Sequence, residues 1–288
     1  MENEGMLDKL KQIYRAMVVT DLDGTLLCSD RLVSKRNMEV LRELGKMGVM
    51  RIAATGRNLY SAKKVLAENF PVDFLVFSSG AGIARWTPFK ILKSYFLEKR
   101  DVIRIASFFL ERGLDFMIHE EIPDNHIFYY FSTGRENPDF WNRIEIYGEF
   151  ANPISKEEIV NFSKRATEVV GIGATPGDYR LISERLSPYS VIRATSPLDL
   201  KTIWVEVFPK EVNKATGAEY LRRMYRIPVE KVMAVGNDYN DLALLDWAHM
   251  SFIVGNAPYE LKERYITVET NDNDGFSSAV ELWLRTVG

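Results

Sequence analysis

The stretch Val18-Val19-Thr20-Asp21-Leu22-Asp23-Gly24-Thr25-Leu26 runs from an apolar segment straight into two carboxylates set two residues apart. Ala16–Thr20 is short, apolar and rich in valine, the pattern of a buried parallel strand. Asp21 and Asp23 then fall at the strand's carboxyl end, the edge at which open α/β sheets gather their active sites. Burying two acids together costs several kcal/mol unless a cation or a proton compensates. Gly24 permits a tight turn that brings backbone N–H groups toward an anion. A single acid at a strand end is most simply a solvated Asx-type turn. Two acids, a glycine and a threonine behind an apolar strand point instead to a site.

The flanking sequence repeats the strand–helix style. Ser34 caps a helix whose apolar positions Met38, Leu41 and Leu44 recur every three residues, and Gly48 ends it. Val49–Ala54 reads as a second strand, 59–69 as a second helix and Asp73–Ser78 as a third strand. This alternation predicts a parallel sheet with right-handed crossovers. The last eighty or so residues resume the pattern. Helix 214–225 leads to strand Lys231–Val235, short helix 241–247 and strand Ser251–Val254. Helix 258–264, strand Tyr265–Val268 and a closing helix over 276–286 follow.

The middle, roughly 86–206, is aromatic-rich and less regular. Strands are expected at 127–131, 167–174, 189–194 and 202–208, and helices at 99–112, 155–165 and 178–186. The stretch reads as a separate α+β unit inserted into the first fold, with Pro88 and Pro209 near the hinges. The expected class is therefore α/β: a Rossmann-like parallel-sheet core made of 1–85 and 207–288, carrying an inserted α+β unit of 86–206.

Composition agrees with a folded protein of this kind. The chain has 288 residues, enough for one large or two ordinary domains, with 46% hydrophobic and 27% charged residues. A net charge of −3 offers no strong attraction for nucleic acid or an anionic membrane, so neither is expected as a partner. Cys28 is the sole cysteine, which excludes an internal disulfide and a cysteine-cluster metal site and suits a reducing compartment. The opening Met1–Arg15 carries acids where a signal peptide carries bases, and uncharged stretches such as 247–259 fall short of a membrane span. The expectation is a cytoplasmic protein.

Three further segments carry candidate chemistry. Ala53-Ala54-Thr55-Gly56-Arg57 puts a hydroxyl and a glycine at the end of the second strand, suited to phosphate oxygens, although Thr-Gly is also a common turn opening. Lys214 stands near a helix start, where a lone lysine is ordinarily a solvated one. Gly236-Asn237-Asp238-Tyr239-Asn240-Asp241 follows strand 231–235 with the oxygen ligands that hard cations prefer, and Asn240 or Asp241 also suits a helix N-cap. No Walker-type loop is present, and Gly171-Ile172-Gly173-Ala174-Thr175-Pro176-Gly177 misses the dinucleotide-binding spacing.

In this order and at these places on strands and helices, the four segments resemble the haloacid dehalogenase-like hydrolase superfamily, and the large insert resembles its Cof-type (type IIB cap) phosphatase subgroup. Asp21-Leu22-Asp23-Gly24-Thr25 matches the first motif, Thr55 the second, Lys214 the third and Gly236–Asp241 the fourth. Ser78-Ser79-Gly80-Ala81 lies where many relatives have Ser-Asn-Gly-Ala. The resemblance implies a Mg²⁺-dependent phosphatase that hydrolyses a small phosphomonoester, such as a sugar or polyol phosphate, through an aspartyl-phosphate.

By that resemblance Asp21 is the nucleophile and Asp23 the acid and then the base. Thr55, Gly56, Lys214 and Asn240 bind phosphate. Asp21, Asp23 through its carbonyl, Asn237, Asp238 and Asp241 hold the metal. Asn240 and Asp241 also orient the lysine or the metal shell. One departure stands out: relatives usually carry a metal-binding Asp where this chain has Asn237. The amide keeps an oxygen but lacks the charge, which leaves Asp238 or Asp241 to compensate.

The insert becomes a cap that touches the leaving group and sets substrate choice. Candidate cap contacts are His126, Arg135, Trp141 and Arg143, whereas Ile127–Phe131 and Phe108-Phe109 read as cap core. The expected partner is a small phosphorylated metabolite, and the chain is expected to act as a monomer or weak homo-oligomer. Two alternatives stay open: a phosphosugar mutase of the same superfamily, and a catalytically silent protein that binds a phosphorylated ligand.

Overall fold

A computed structural model describes residues 14–287; residues 1–13, most of the segment read above for a signal peptide, lie outside the described residues. The strands in chain order are β1 (Ala16–Thr20), β2 (Val49–Ala54), β3 (Phe74–Phe77), β4 (Gly82–Arg85) and β5 (Lys90–Ser94). They continue as β6 (Asp115–His119), β7 (Phe128–Phe131), β8 (Ala151–Pro153), β9 (Glu168–Ala174), β10 (Ser190–Thr195) and β11 (Ile203–Phe208). The last three are β12 (Val232–Gly236), β13 (Met250–Val254) and β14 (Ile266–Val268). They form two sheets. The larger has eight strands in the order β14-β13-β12-β1-β2-β3-β4-β5, and the smaller has six in the order β10-β11-β9-β6-β7-β8.

The eight-stranded sheet is parallel from β14 to β3 and antiparallel at β3–β4 and β4–β5. β1 lies between β2 and β12, and every one of its residues is buried. Its alternate residues feed two cores. Ala16 and Val18 pack with Leu41 and Leu44 of helix α1 (Lys35–Lys46) and with Phe276 and Trp283 of the closing helix (Gly275–Val287). Met17 and Val19 pack with Ala218 and Leu221 of helix Lys214–Met224 and with Leu244 and Leu245 of helix Leu242–Trp247. Each such side chain contributes about 1.5–3 kcal/mol by leaving water. The doubly covered sheet thereby fixes β1 and the residues at its carboxyl end.

The smaller sheet is antiparallel except at β7–β8. One face packs on helix Lys99–Glu111 through Val102, Ile105 and Phe109. The other carries Met117, Phe128, Val170, Ile172 and Trp204 under Phe140 of helix Pro138–Tyr147. Phe109 and Phe128 are fully buried, as their reading as cap core requires.

Several elements differ from the sequence expectation. The second helix stops at Val65 rather than 69, because Leu66 turns extended and Phe70, ahead of Pro71, packs into the core. The helix expected over 155–165 spans only Lys156–Val160, and Phe162 turns inward beyond it. β4, β5, β6, β8 and helix Pro138–Tyr147 had no counterpart in the reading. β5 (Lys-Ile-Leu-Lys-Ser) is an edge strand without clear alternation, and β6 hides its pattern by burying Asp115 and His119. The larger sheet thus extends to Ser94, and β11 of the smaller runs to Phe208. We accordingly propose dividing lines near 95 and 209 rather than at 86 and 206. Among the described residues no helix is long and apolar enough to cross a membrane.

Candidate active site

Four sequence segments meet at the carboxyl edge of the larger sheet. β1 ends at Thr20, and the Asp21 N–H continues the sheet by donating to the Val235 carbonyl of β12 at 3.0 Å. The turn that follows needs glycine: Gly24 has φ +73°, and a Cβ there would stand 2.6 Å from Asn237 Nδ2. Lys214 is the first residue of its helix, behind the Asn213 cap, and its side chain is fully buried.

The Lys214 ammonium donates at 2.7 Å to Asp21 Oδ1, at 2.7 Å to Asp241 Oδ1 and at 3.5 Å to Asn240 Oδ1. Burial opposes its charge, but Asp21 and Asp241 outweigh that and hold it above the ordinary lysine range. Burial pushes the Asp21 carboxyl up to about 7 against the pull of Lys214, with Asp241 and Asp23 adding to the rise. Asp21 Oδ2 is buried with no hydrogen-bond partner. An orphaned carboxylate oxygen is costly to bury, so this atom is poised for a cation or a reacting group.

The phosphate-side residues stand at the neighbouring strand end and reach Lys214 through Asn240. Thr55 is buried at the end of β2, its Oγ1 accepting from the Arg57 N–H at 3.1 Å. A Cβ built on Gly56 would stand 3.5 Å from Ser79 Oγ and 3.6 Å from Asn240 Nδ2, so these groups converge on one spot. Ser78 and Ser79 both have positive φ, which costs of order 1–3 kcal/mol and recurs at functional turns. Gly80 is obligatory behind them, at φ +107°, because a Cβ would meet the Asn213 carbonyl at 2.2 Å.

Asp23 is half-buried and held by a residue whose role the sequence did not reveal. Arg57 Nε and Nη2 each donate to an Asp23 carboxylate oxygen at 2.6 Å, while Nη1 donates to Ser61 Oγ at 2.8 Å. The only signal was position, directly after Thr55-Gly56.

Asp238 and Asp241, both expected as metal ligands, have hydrogen-bond partners of their own within the loop and beyond it. Asp241 gives Oδ1 to Lys214 and Oδ2 to the N–H groups of Asn237 and Asp238 at 2.9 and 3.2 Å, so it braces the loop and the lysine. Asp238 accepts from the N–H and Oγ1 of Thr195 at 3.0 and 3.1 Å, tying this loop to β10 of the smaller sheet. Asn237 remains beside the turn, its Oδ1 accepting a 3.3 Å bond from Thr25 Oγ1.

Among the described residues no three His, Cys, Asp or Glu side chains gather as a metal cage. Mg²⁺ does not need one: it is commonly held by one or two carboxylates together with waters and substrate phosphate. The unpartnered Asp21 Oδ2 supplies the required charge, and Asn237 supplies an amide oxygen, so the residues present fit this ion.

The smaller sheet closes the other side of the cleft. Ser79 Oγ donates to Glu206 at 2.9 Å, Asn125 Nδ2 to Ser78 Oγ at 2.7 Å and Asn58 Nδ2 to Tyr147 at 3.1 Å. Of the four candidate cap contacts, His126 stacks on Tyr60 of the larger unit at 4.8 Å, and Arg143 lies over the rings of Trp204 and Tyr147. Arg135 is instead a brace for Asp115 and the carbonyls of Ile172 and Gly173. Trp141 packs against Phe140 on the outside, 46% exposed. Glu168 and Glu206 were not anticipated, because nothing local in sequence marks a buried glutamate.

Comparison with known proteins gives a consistent picture. A model of the haloacid dehalogenase-like hydrolase family matches residues 18–280. A 5-amino-6-(5-phospho-D-ribitylamino)uracil phosphatase of Bacillus subtilis is 27% identical over 278 residues, covering 93% of this chain and 95% of its own. A second phosphatase of that name from the same organism is 21% identical over 287 residues, covering 93% and 97%. Among solved structures, a phosphatase of the haloalkanoate superfamily from Bacteroides thetaiotaomicron superposes with a TM-score of 0.76 at 20% identity, over 94% of this chain and 96% of that one. A subclass IIB sugar phosphatase of the same superfamily superposes with a TM-score of 0.73 at 19% identity, over 93% and 98%. These likenesses bear out the α/β class and the type IIB resemblance.

Proposed function

Because the chain belongs to the haloacid dehalogenase-like hydrolase family, we propose that it is a Mg²⁺-dependent phosphatase acting on a small phosphomonoester through an aspartyl-phosphate at Asp21. The observation that carries this reading is the buried Lys214–Asp21–Asp241 arrangement with one Asp21 oxygen unpartnered at the carboxyl edge of β1.

Asp21 attacks phosphorus as the ester P–O bond breaks, and the leaving oxygen takes a proton from Asp23. Water then gives its proton to Asp23 and attacks the phosphoryl group, freeing phosphate and restoring Asp21. Lys214 anchors the Asp21 carboxylate and, with Thr55, Gly56 and Asn240, faces the phosphoryl oxygens. Asp21, the Asp23 carbonyl and Asn237 would hold Mg²⁺, which would supply positive charge beside phosphate and carboxylate. A protonated Asp23 has only one oxygen left to accept fully, so one arm of the Arg57 fork is given up when Asp23 holds its proton. The smaller sheet acts as the cap over this centre, and a diffusible metabolite in the cytoplasm is the fitting substrate. The named activity of the Bacillus relatives on a ribityl phosphate supports a polyol or sugar phosphate.

Hydrolysis of p-nitrophenyl phosphate tests the reading. Release of phosphate is expected with Mg²⁺ and is expected to stop on adding EDTA. Unchanged rates in EDTA contradict the metal requirement, and no release at all favours the silent binding protein. Formation of an isomer rather than free phosphate from a phosphosugar favours the mutase.

A further inference from the structure

Each of the two sheets has two edges, and three of the four are guarded. β5, at one end of the larger sheet, carries Lys90 and Lys93, and its pairing with β4 slips between Ile83 and Ala84. β8, at one end of the smaller sheet, ends in Pro153, which has no N–H to offer. β10, at the other end, is covered where the Thr195 N–H and Oγ1 donate to Asp238 of the larger unit. Lysines, proline, irregular pairing and covering loops are the devices that keep a sheet edge from pairing with another chain. β14, the fourth edge, reads Ile266-Thr267-Val268 and carries none of them.

These three β-branched residues favour a strand. Among the described residues nothing outside the sheet hydrogen-bonds to their backbone groups. Val268 packs on the core beneath the closing helix Gly275–Val287, and Ile266, two residues earlier on the same face, is 49% exposed. Leu282 of that helix, which lines a groove of about 390 Å³ together with Thr267 and Val268, is 39% exposed. Two charges mark the ends of the groove. Glu269 lies at the carboxyl end of β14, where the closing helix begins: a Cβ on Gly275 would stand 2.3 Å from the Glu269 carbonyl. Arg285 lies at the opposite end, beside Thr286, whose Oγ1 donates at 3.7 Å to Met250 Sδ at the start of β13. Both side chains are exposed, and neither makes a hydrogen bond or ion pair among the described residues.

We propose that this edge docks a second copy of the chain. β14 pairs antiparallel with β14 of the partner about a two-fold axis at Thr267, so that the two larger sheets run on as one. An axis of this kind, perpendicular to the sheet, keeps both closing helices on the same face and exchanges the two ends of the groove. Glu269 of each copy then meets the partner's Arg285, and the two unpaired charges are matched twice over. Ile266 comes opposite the partner's Val268, and Ile266 and Leu282 leave water. An extended peptide without an acid and a base at this spacing leaves both charges unmatched, whereas the chain's own edge satisfies them. β14 is short, so the helix side chains contribute much of the contact and the dissociation constant falls in the micromolar range. The proposal concerns a surface outside the catalytic edge and does not depend on the phosphatase reading.

Sedimentation equilibrium of the full chain tests it. The mass of one chain at low concentration is expected to rise to that of two as the concentration passes through the micromolar range. Ile266→Lys places a charge on the open edge and is expected to hold the protein at the mass of one chain. Glu269→Arg and Arg285→Glu each replace attraction by repulsion at two symmetric contacts and are each expected to weaken association by about tenfold. The two together restore opposite charges and are expected to bring the constant back to within about threefold of the wild type. A wild type that keeps the mass of one chain throughout overturns the proposal without any variant, so it stays testable even if a variant fails to fold. Association that neither single charge reversal weakens, or that the double reversal does not restore in variants with wild-type circular dichroism, overturns the assignment to this edge.

Discussion

At the carboxyl edge of the larger sheet, buried charges are matched almost completely: Lys214 is shared by Asp21 and Asp241, and Asp241 is also braced by two backbone N–H groups. Across the cleft, on the smaller sheet's side, Glu168 and His119 are buried and Arg143 is half-buried, and the buried Arg143 Nε and His119 Nε2 have no hydrogen-bond partner. The first arrangement stands ready before any substrate arrives, as electrostatic preorganisation requires. The second is incomplete until something fills it, as selection requires, because a site with unpaired polar groups rejects ligands that cannot pair them.

If that contrast holds, substitutions on the matched side should have the largest effects, on chemistry at Asp21 and on stability at Lys214. Asp21→Asn is expected to lower kcat by roughly 10⁴-fold or more while the melting temperature holds, measured by phosphate release and circular dichroism. A variant retaining a tenth of wild-type activity, on the same scale of roughly 10⁴, would end the nucleophile assignment.

Lys214→Met removes the one cation between two buried carboxylates and is expected to cost about 3–5 kcal/mol of stability in denaturant titration. The loss should be smaller at pH 5 than at pH 8, because the Asp21 carboxyl, raised to about 7 even beside Lys214, rises further without the lysine and is protonated in both proteins at pH 5. An unchanged midpoint would mean that the lysine carries no such burden.

The unmatched side yields smaller effects. Burial, then Arg143 and His126, lowers the His119 pKa to about 3. Its folded value lies below its unfolded one, so its neutral form favours the native state above the unfolded pKa. That contribution is lost as pH falls from about 6.5 toward 3. Between pH 7.5 and pH 5 it amounts to about 2 kcal/mol, and His119→Asn should flatten the stability profile by that amount. Equal acid sensitivity in both proteins would refute it.

Asp238→Asn weakens the two bonds to Thr195 that join the units and is expected to cost about 1 kcal/mol or less. If Asp238 were instead a metal ligand, the same variant would chiefly raise the Mg²⁺ concentration needed for activity.

Legibility in the sequence divided along the same line. β1, β2, β12 and β13 were readable because a strand buried on both faces must be a continuous apolar run. Asp21, Asp23 and Thr55 stand out in sequence because each follows such a strand, whereas Lys214 and Asn240 stand out only through the resemblance of the four motifs. Arg57 was hidden because its partner, Asp23, lies 34 residues away in sequence. Glu168 and Glu206 were hidden because a glutamate's burial depends on which face of a distant sheet it lands on. Asp238 and Asp241 looked alike in one acidic cluster, and only the fold shows that one faces Thr195 and the other Lys214.

The proposed chemistry forms a covalent bond to phosphorus at one carboxyl oxygen of Asp21. Acid quenching during turnover of p-nitrophenyl phosphate, borohydride reduction and peptide mass spectrometry should find homoserine at position 21, and only in the presence of substrate. Turnover with Asp21 unmodified, or with reduction at another carboxylate such as Asp23, would contradict it.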